Sequence, residues 1–437
     1  MRAKICEEAI FYDTPIDYFN DYRVVEGRNF DKFMFKTKAK KEILKTSNGK
    51  IILPRMLGIY LANKYNIPIE YSLHEGEDYS FNSNIQLREG QKQFVQDMIE
   101  GLKENYGVIG LGRCGSGKTV CALETANKIG KKFIVLVHAE FLAKQWEERI
   151  KSFLGIEAGR IQGNRYEIDK PIVVAMAQTV VTRNYTPSLF KDFGLLIIDE
   201  VHRFSCDLFE KSIIAFNTRY RLGLTATPRR SDGLEKVFKY HIGRISGKIE
   251  SDLMEGTVNL IETPCYIYKN QFCYYERYNL AKLLNILALN DRRNNLICKY
   301  LNKAINKGRK ILVLSDRILQ LKKFHEIFKN SALFTGMQSE KEKEKAKSKQ
   351  VILGTFQLAK EGLDIPELDT LFLATPKSSI IQPAGRILRE HPGKKHPVII
   401  DFVDQDEEDF LHKMSVKRIY QYRRLGFKIN YIKENAI

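Results

Sequence analysis

The sequence predicts an α/β protein, with two tandem parallel-sheet domains behind a small N-terminal α+β accessory domain. Three observations predict it. From about residue 106 short apolar runs alternate with helix-like stretches, the pattern of parallel strands joined by helical crossovers. The alternation blurs between Gly243 and Asp291, where tyrosines crowd the chain, and then restarts. A length of 437 residues exceeds one ordinary core, so about two to three domains are expected. The division read from these features is 1–84, 85–248 and 249–437.

The first 84 residues are rich in Tyr and Phe and lack the alternation. Within them KEILKTSNGKIIL sets Asn48-Gly49 between strand-like flanks, a pair suited to the positive φ of a tight hairpin turn. Pro54 suits the first turn of a helix through RMLGIYLANKY. Between Arg23 and Lys64 eleven Lys/Arg face three Asp/Glu. Two readings fit this stretch: a basic hairpin interleaved with aromatics that grips duplex or prises a junction, or a solvated cover on the next domain.

The first strand set comprises YGVIGL from Tyr106, FIVLV at Phe133 to Val137, PIVVAM from Pro171, LLII from Leu195, and LGL before Thr225. The second comprises KILVLSD from Lys310, VILGTF from Val351, TLFLATP from Thr370 and VIIDFV from Val398. The charge run KEKEKAKSK from Lys341 reads as a solvated helix face. FLAKQWEERI reads as an amphipathic helix whose Trp146, the only tryptophan, packs into the core.

Lys and Arg number 71 against 53 Asp and Glu, a formal charge of +18. Such a surplus suits a polyanion, nucleic acid before anionic membrane, and equally a basic surface that is merely solvated. The seven cysteines, at 6, 114, 121, 206, 265, 273 and 298, form no CxxC or Cys/His cluster. That pattern indicates neither a disulfide framework nor a zinc site, and fits a reducing cytoplasm. No apolar run approaches the ~18 residues of a membrane helix, and MRAKICEEAIFYDTP has acidic residues where a signal peptide needs an apolar core. A soluble, unexported protein with no membrane partner is expected.

Residues Gly112 to Thr119 read GRCGSGKT, a complete GxxxxGK[ST] loop between an apolar strand and the helical KTVCALETANKIG. Gly115, Ser116 and Gly117 let backbone amides turn toward phosphate oxygens, Lys118 reaches the β and γ phosphates of ATP, and the Thr119 hydroxyl ligates magnesium. A helix beginning at Lys118 adds its positive end. Asp199 ends the run Leu195 to Ile198, where an open parallel sheet presents ligand-binding groups, and is expected to hold Mg2+ through water. Glu200 beside it is placed to orient or deprotonate the attacking water. Arg386 and Arg389 lie three apart on a predicted helix, so both can project from one face toward a γ phosphate.

Loop, Asp199-Glu200-Val201-His202, Thr225-Ala226-Thr227-Pro228 and QPAGRILR from Gln382 occur once each and in that order. The series resembles the superfamily-two helicases over residues 85 to 430, and within them the branch of XPB, RecG and the phage UvsW-type branch-migration enzymes. IQLREGQKQFV, LVHAEFLAKQW, LTATPRRSDG and GTFQLAKEGLDIPELDTLFLATP carry the closer likeness. IILPRMLG resembles the end of that branch's N-terminal module, and SVKRIYQYRRLGFKI from Ser415 its closing helix and strand.

The resemblance implies two RecA-like lobes whose cleft closes over ATP. It implies that Gln91 reads adenine, that Gly362 and Asp364 close over the nucleotide, and that His202, Thr225, Thr227 and Gln382 couple nucleotide state to strand grip. Gln178, Thr179, Thr355 and Gln357 would face nucleic acid. It further implies a monomeric ATP-dependent DNA helicase or translocase acting 3′ to 5′ on branched or forked DNA, in the host cytoplasm if phage-encoded. An RNA or transcript-displacing helicase, a non-catalytic ATP-switched DNA-binding scaffold and a restriction-enzyme motor subunit are the alternatives.

Overall fold

Strands that are apolar at every position can only be covered on both faces, and the sheets meet that demand. In the computed structural model, residues 1–27, 39–112, 115–227, 232–249, 254–274, 277–357 and 365–433 are described. They form two compact units, Met1–Ser251 and Asp252–Ile437.

The first unit holds an eight-stranded sheet. From edge to edge its strands are Arg165–Tyr166, Gly159–Gln162, Ile172–Met176, Phe133–Val137, Leu195–Ile198, Tyr220–Thr225, Gly107–Gly112 and Arg244–Ile249. All pair parallel except the first, an antiparallel edge. Phe133–Val137, Ile172–Met176 and Leu195–Ile198 are buried throughout, as central parallel strands between helical layers must be. The strand carrying the phosphate loop is thus second from one edge, and Asp199 leaves a central strand.

A five-stranded sheet with one helix precedes it. Ser47 pairs with Lys50 across Asn48 and Gly49, whose φ values of 49° and 71° give the expected hairpin turn. Pro54 caps the helix Arg55–Lys64 rather than occupying its first turn. The helix lies so close on the sheet that a Cβ at Gly58 would stand 2.0 Å from Ala9 Cβ. One apolar core runs without a break from Ala3, Phe11, Leu53 and Leu57 into Phe209, Phe238 and Ile242 of the larger sheet's helical layer.

Two fully buried arginines fasten these layers. Arg55 donates to the carbonyls of Cys6 (2.5 Å) and Thr218 (2.7 Å) and to Asn217 Oδ1 (3.3 Å). Arg221 donates to the carbonyls of His241 (3.0 Å), Glu7 (2.9 Å) and Phe216 (3.1 Å). Burial pulls the pKa of Arg221 down to about 10 and that of Arg55 well below its ordinary value, and Arg221 lowers Arg55 further. Backbone carbonyls and, for Arg55, the Asn217 amide oxygen, rather than carboxylates, solvate the two charges. Arg55→Met leaves three acceptors without their donor and is expected to cost about 2–4 kcal/mol. Urea unfolding would read this as a lower midpoint at constant slope.

The second unit is a seven-stranded, wholly parallel sheet in the order Ser331–Phe334, Val351–Gly354, Ile311–Leu314, Thr370–Leu373, Val398–Asp406, Thr257–Ile267, Lys428–Lys433. The blurred stretch after Gly243 thus contributes one long strand to this sheet, and the helix Phe410–Arg424 and final strand close it as expected. The charge run from Lys341 is the helix Glu340–Ser348. Buried Arg293–Asp404 (2.7 Å) and Arg418–Asp401 (2.8 Å) pairs tie the strand Val398–Asp406 to the helices Asp291–Asn306 and Phe410–Arg424. No helix among the described residues is long and apolar enough to cross a membrane.

Candidate nucleotide site

Gly117 adopts φ +84°, and a side chain there would collide with Gln91 Nε2 at 2.3 Å, so this position in the loop demands glycine. The helix Lys118–Ile129 starts at once, leaving the first-turn amides of Lys118, Thr119 and Val120 without intrahelical acceptors. Lys118 is 8% exposed; its Nζ donates to the Gly112 carbonyl at 2.8 Å and lies 3.8 Å from Glu200 Oε1. Thr119, in the same first turn, is half-buried. Loop lysine and strand-end carboxylate therefore share one sheet edge.

Asp199 is 5% exposed. Its Oδ2 accepts from Trp146 Nε1 at 2.8 Å and its Oδ1 from the Glu200 amide at 2.8 Å. Burial, reinforced by the neighbouring Glu200 charge, pushes its pKa up to about 6; the Trp146 hydrogen bond and the Lys118 charge oppose the rise. Trp146 is fully buried, as expected of a core residue, but packing is only half of its role. Its indole N–H fixes the rotamer of Asp199, a function that sequence reading missed. Its one signal was that a buried indole needs an acceptor.

Glu200 stands in the left-handed region at φ 49°, which turns its side chain back toward Lys118 and His202. His202 Nδ1 lies 2.9 Å from Thr225 Oγ1 and 3.2 Å from Glu200 Oε2. The Thr225 hydroxyl donates to the Thr227 carbonyl at 2.8 Å, so it accepts from His202, whose Nδ1 therefore carries a proton. Burial drives the His202 pKa down to about 4, against the pull of Glu200, and the ring is neutral near pH 7. With that proton directed at Thr225, Glu200 Oε2 remains buried and accepts no hydrogen bond among the described residues, as does Ser116 Oγ in the loop. Orphaned oxygens around a buried ammonium and a carboxylate suit a phosphate chain with a divalent cation.

Gln91 sits beside the loop, but both ends of its amide contact the chain. Nε2 donates to the Ser116 carbonyl at 3.0 Å, and Oε1 accepts from the Arg88 amide at 2.9 Å. Gln178 is exposed on the helix Ala177–Arg183 and donates to the His138 carbonyl at 2.9 Å. Thr179 Oγ1 accepts from the Gly163 amide at 3.1 Å.

In the second unit Thr355 and Gln357 follow the strand Val351–Gly354, with Gln357 exposed. The predicted single helix bearing both arginines is shorter than the sequence suggests. It spans Ile381–Ile387, so Arg386 is helical, whereas Arg389 lies beyond the Leu388 cap in a turn closed onto the Arg386 carbonyl. Buried Leu388 draws the chain inward there, and Lys394 Nζ holds the Arg389 carbonyl at 2.6 Å. Gly362, Asp364 and the side chain of Gln382 lie outside the described residues.

Comparison with known proteins identifies the family. The family described as type III restriction enzyme, res subunit, matches residues 84–230. A protein of Acanthamoeba polyphaga mimivirus, named for an ATP-dependent RNA helicase, is 32% identical over 391 residues, covering 86% of this chain and 73% of its own. The chain belongs to the superfamily-two helicases. A Sulfurisphaera tokodaii protein named DNA 3′-5′ translocase XPB2 is 29% identical over 250 residues, 57% of this chain and 50% of that one. Among solved structures, a DNA-bound type ISP restriction-modification enzyme shares the fold, with a TM-score of 0.57 at 13% identity over 81% of this chain and 32% of that one. The protein is thus a helicase or translocase that uses nucleotide and binds nucleic acid, built on tandem RecA-like sheets.

Proposed function

We propose that this helicase is an ATP-dependent DNA motor moving 3′ to 5′, which unwinds or branch-migrates forked and Holliday-junction DNA. The reading takes residues 1–84 as an accessory module, 85–248 as the first lobe and 249–437 as the second, in a chain that works as a monomer in the cytoplasm. A chain of close approaches carries it: Lys118 Nζ lies 3.8 Å and His202 Nδ1 3.2 Å from Glu200, while His202 hydrogen-bonds Thr225 and Thr225 the Thr227 carbonyl. Such a chain ties a phosphate-reaching lysine to the segment expected to set strand grip, which a simple nucleotide-binding scaffold does not require. The XPB2 relative, named for DNA and for this polarity, supports the finer statement.

In this mechanism the loop amides and Lys118 bind the ATP phosphates, and Glu200 orients the attacking water and takes its proton. Neutral His202 packs beside Glu200 and donates its Nδ1 proton to Thr225. Thr119, and Asp199 through water, would hold a magnesium ion, which supplies positive charge to the phosphate chain. Arg386 and Arg389 from the second lobe stabilise charge on the transferred phosphoryl group, with Gly362 and Asp364 closing over the nucleotide. Gln91 recognises the adenine edge, while Gln178, Thr179, Thr355 and Gln357 contact the strand, and Gln382 joins Thr225 and Thr227 in coupling.

Thr225→Val tests the coupling. The loss of its hydroxyl is expected to leave ATP turnover within a few-fold of the parent while strand displacement per ATP falls about tenfold. Equal losses in both would refute a coupling role. The mimivirus relative's name favours a second reading, action on RNA. A panel of labelled forks, flaps, Holliday junctions and blunt DNA duplexes, beside matched RNA duplexes, separates the two. Faster unwinding of forked or four-way DNA is expected; RNA unwound equally well or better overturns the DNA assignment.

A further inference from the structure

We infer that the N-terminal module is coupled to the ATP-handling edge of the first unit through a three-residue node, Lys41, Glu210 and His241. The inference rests on the motor reading above and adds residues that none of its motifs contains. Lys41 lies in the short antiparallel pair Val24–Glu26 and Lys40–Glu42 of the module. Its Nζ is 2.7 Å from Glu210 Oε2 and 2.5 Å from Asp207 Oδ1. On the far side of the same carboxylate, Glu210 Oε1 lies 3.6 Å from His241 Nε2.

Each member comes from a different functional segment. Glu210 sits on the helix Cys206–Ile213, capped by Ser205 and starting just after the Asp199–His202 box. His241 sits on the helix Glu235–Ile242, which follows the Thr225–Pro228 segment. Lys41 alone belongs to the module. A second contact repeats the connection: the Gly27 amide donates to the Ala39 carbonyl at 2.7 Å, and a Cβ on Gly27 would lie 2.0 Å from the Asp232 carbonyl oxygen. Asp232 Oδ1 accepts from the Leu234 amide at 3.1 Å and so helps start the helix that carries His241. One strand pair therefore bears on both helices that leave the nucleotide stations.

The node is built to transmit rather than merely to decorate the surface. Glu210 is 8% and His241 1% exposed, so a shift of either helix cannot be absorbed by water. Phe209 stacks edge-on against both Phe238 (centroids 4.5 Å) and His241 (5.6 Å), which makes the two helices move as a packed pair. Burial lowers the His241 pKa, so the ring is neutral and Lys41 is the only one of the two that brings a cation to Glu210. Although burial opposes it, the hydrogen bonds to Asp207 and Glu210 keep the Lys41 pKa above its ordinary value. A change at Thr225 or His202 that displaces these helices must carry Lys41 along or break its bond.

The test uses the full chain with Lys41→Met, Lys41→Arg and Gly27→Ala. ATP turnover is measured without nucleic acid and with saturating forked DNA, alongside DNA affinity and the melting temperature. Lys41→Met and Gly27→Ala are expected to keep basal turnover within about twofold and DNA affinity unchanged, while DNA-stimulated turnover falls about fivefold or more; Lys41→Arg restores it. Stimulation that persists at the parental level in both variants overturns the inference. So does a loss that only follows weaker DNA binding or a lower melting temperature, which would assign the node to binding or to packing. A parent protein whose ATP turnover responds to no nucleic acid overturns the motor reading itself, and this inference with it.

Discussion

Glu200→Gln is expected to lower nucleic-acid-stimulated ATP turnover by about 10²–10⁴-fold, the range for loss of a positioned general base, with nucleotide binding retained. The amide keeps the size of the carboxylate and can still meet His202, but it cannot take a proton from water. Binding is retained because the loop amides and Lys118 Nζ, directed at Gly112 O, are set by the backbone turn at Gly115 and Gly117. Lys118→Ala is expected to lose both binding and turnover, since it removes the buried ammonium itself. Fluorescent-nucleotide binding beside phosphate release separates the two variants. Stimulated turnover near the parental rate in Glu200→Gln would remove Glu200 from the chemistry.

Arg386→Ala should be equally severe, about 10³-fold or more in turnover, as expected when a guanidinium that stabilises phosphoryl charge is lost. The helix bearing it has anchors besides that side chain. Ile380, Ala384 and Ile387 are buried in the second unit's core, and the Ile380 amide donates to Gln421 Oε1 of the closing helix at 2.9 Å. Truncation of half-buried Arg386 should therefore leave folding and nucleotide binding alone. Arg386→Lys should not rescue, because a point charge lacks the planar fork. Arg389→Ala is predicted to follow Arg386→Ala in kind, although Arg389 stands beyond the helix cap. Single-turnover hydrolysis at saturating ATP gives the comparison; a lysine variant as fast as the parent would reduce the arginine to a surface charge.

The strands were legible because a parallel sheet buried on both faces leaves an apolar run, and FIVLV, IVVAM and LLII are such runs. The loop and the Asp199 box were legible because their chemistry is local in sequence. What sequence reading missed is bonding through space. Trp146 reaches Asp199 across 53 positions, and its amphipathic helix indicates burial without naming the acceptor. Lys41 reads as one cation among eleven until the fold sets it against Glu210. The break after Ile387 was likewise hidden, because arginines three apart fit a helix whether or not the chain continues it.

The continuous core beneath the N-terminal sheet, with Arg55 and Arg221 crossing it, bears on how this motor can be rebuilt. Such a module is not an interchangeable cassette. A graft from a related motor would have to bring carbonyls where Cys6 and Glu7 now present theirs, as well as apolar side chains shaped to Phe209 and Ile242. A fragment cut at residue 85 would bare that apolar face to water and leave Arg221 short of an acceptor. Tolerated changes in the module would then fall on its outer surface, around a docking layer that cannot drift on one side alone.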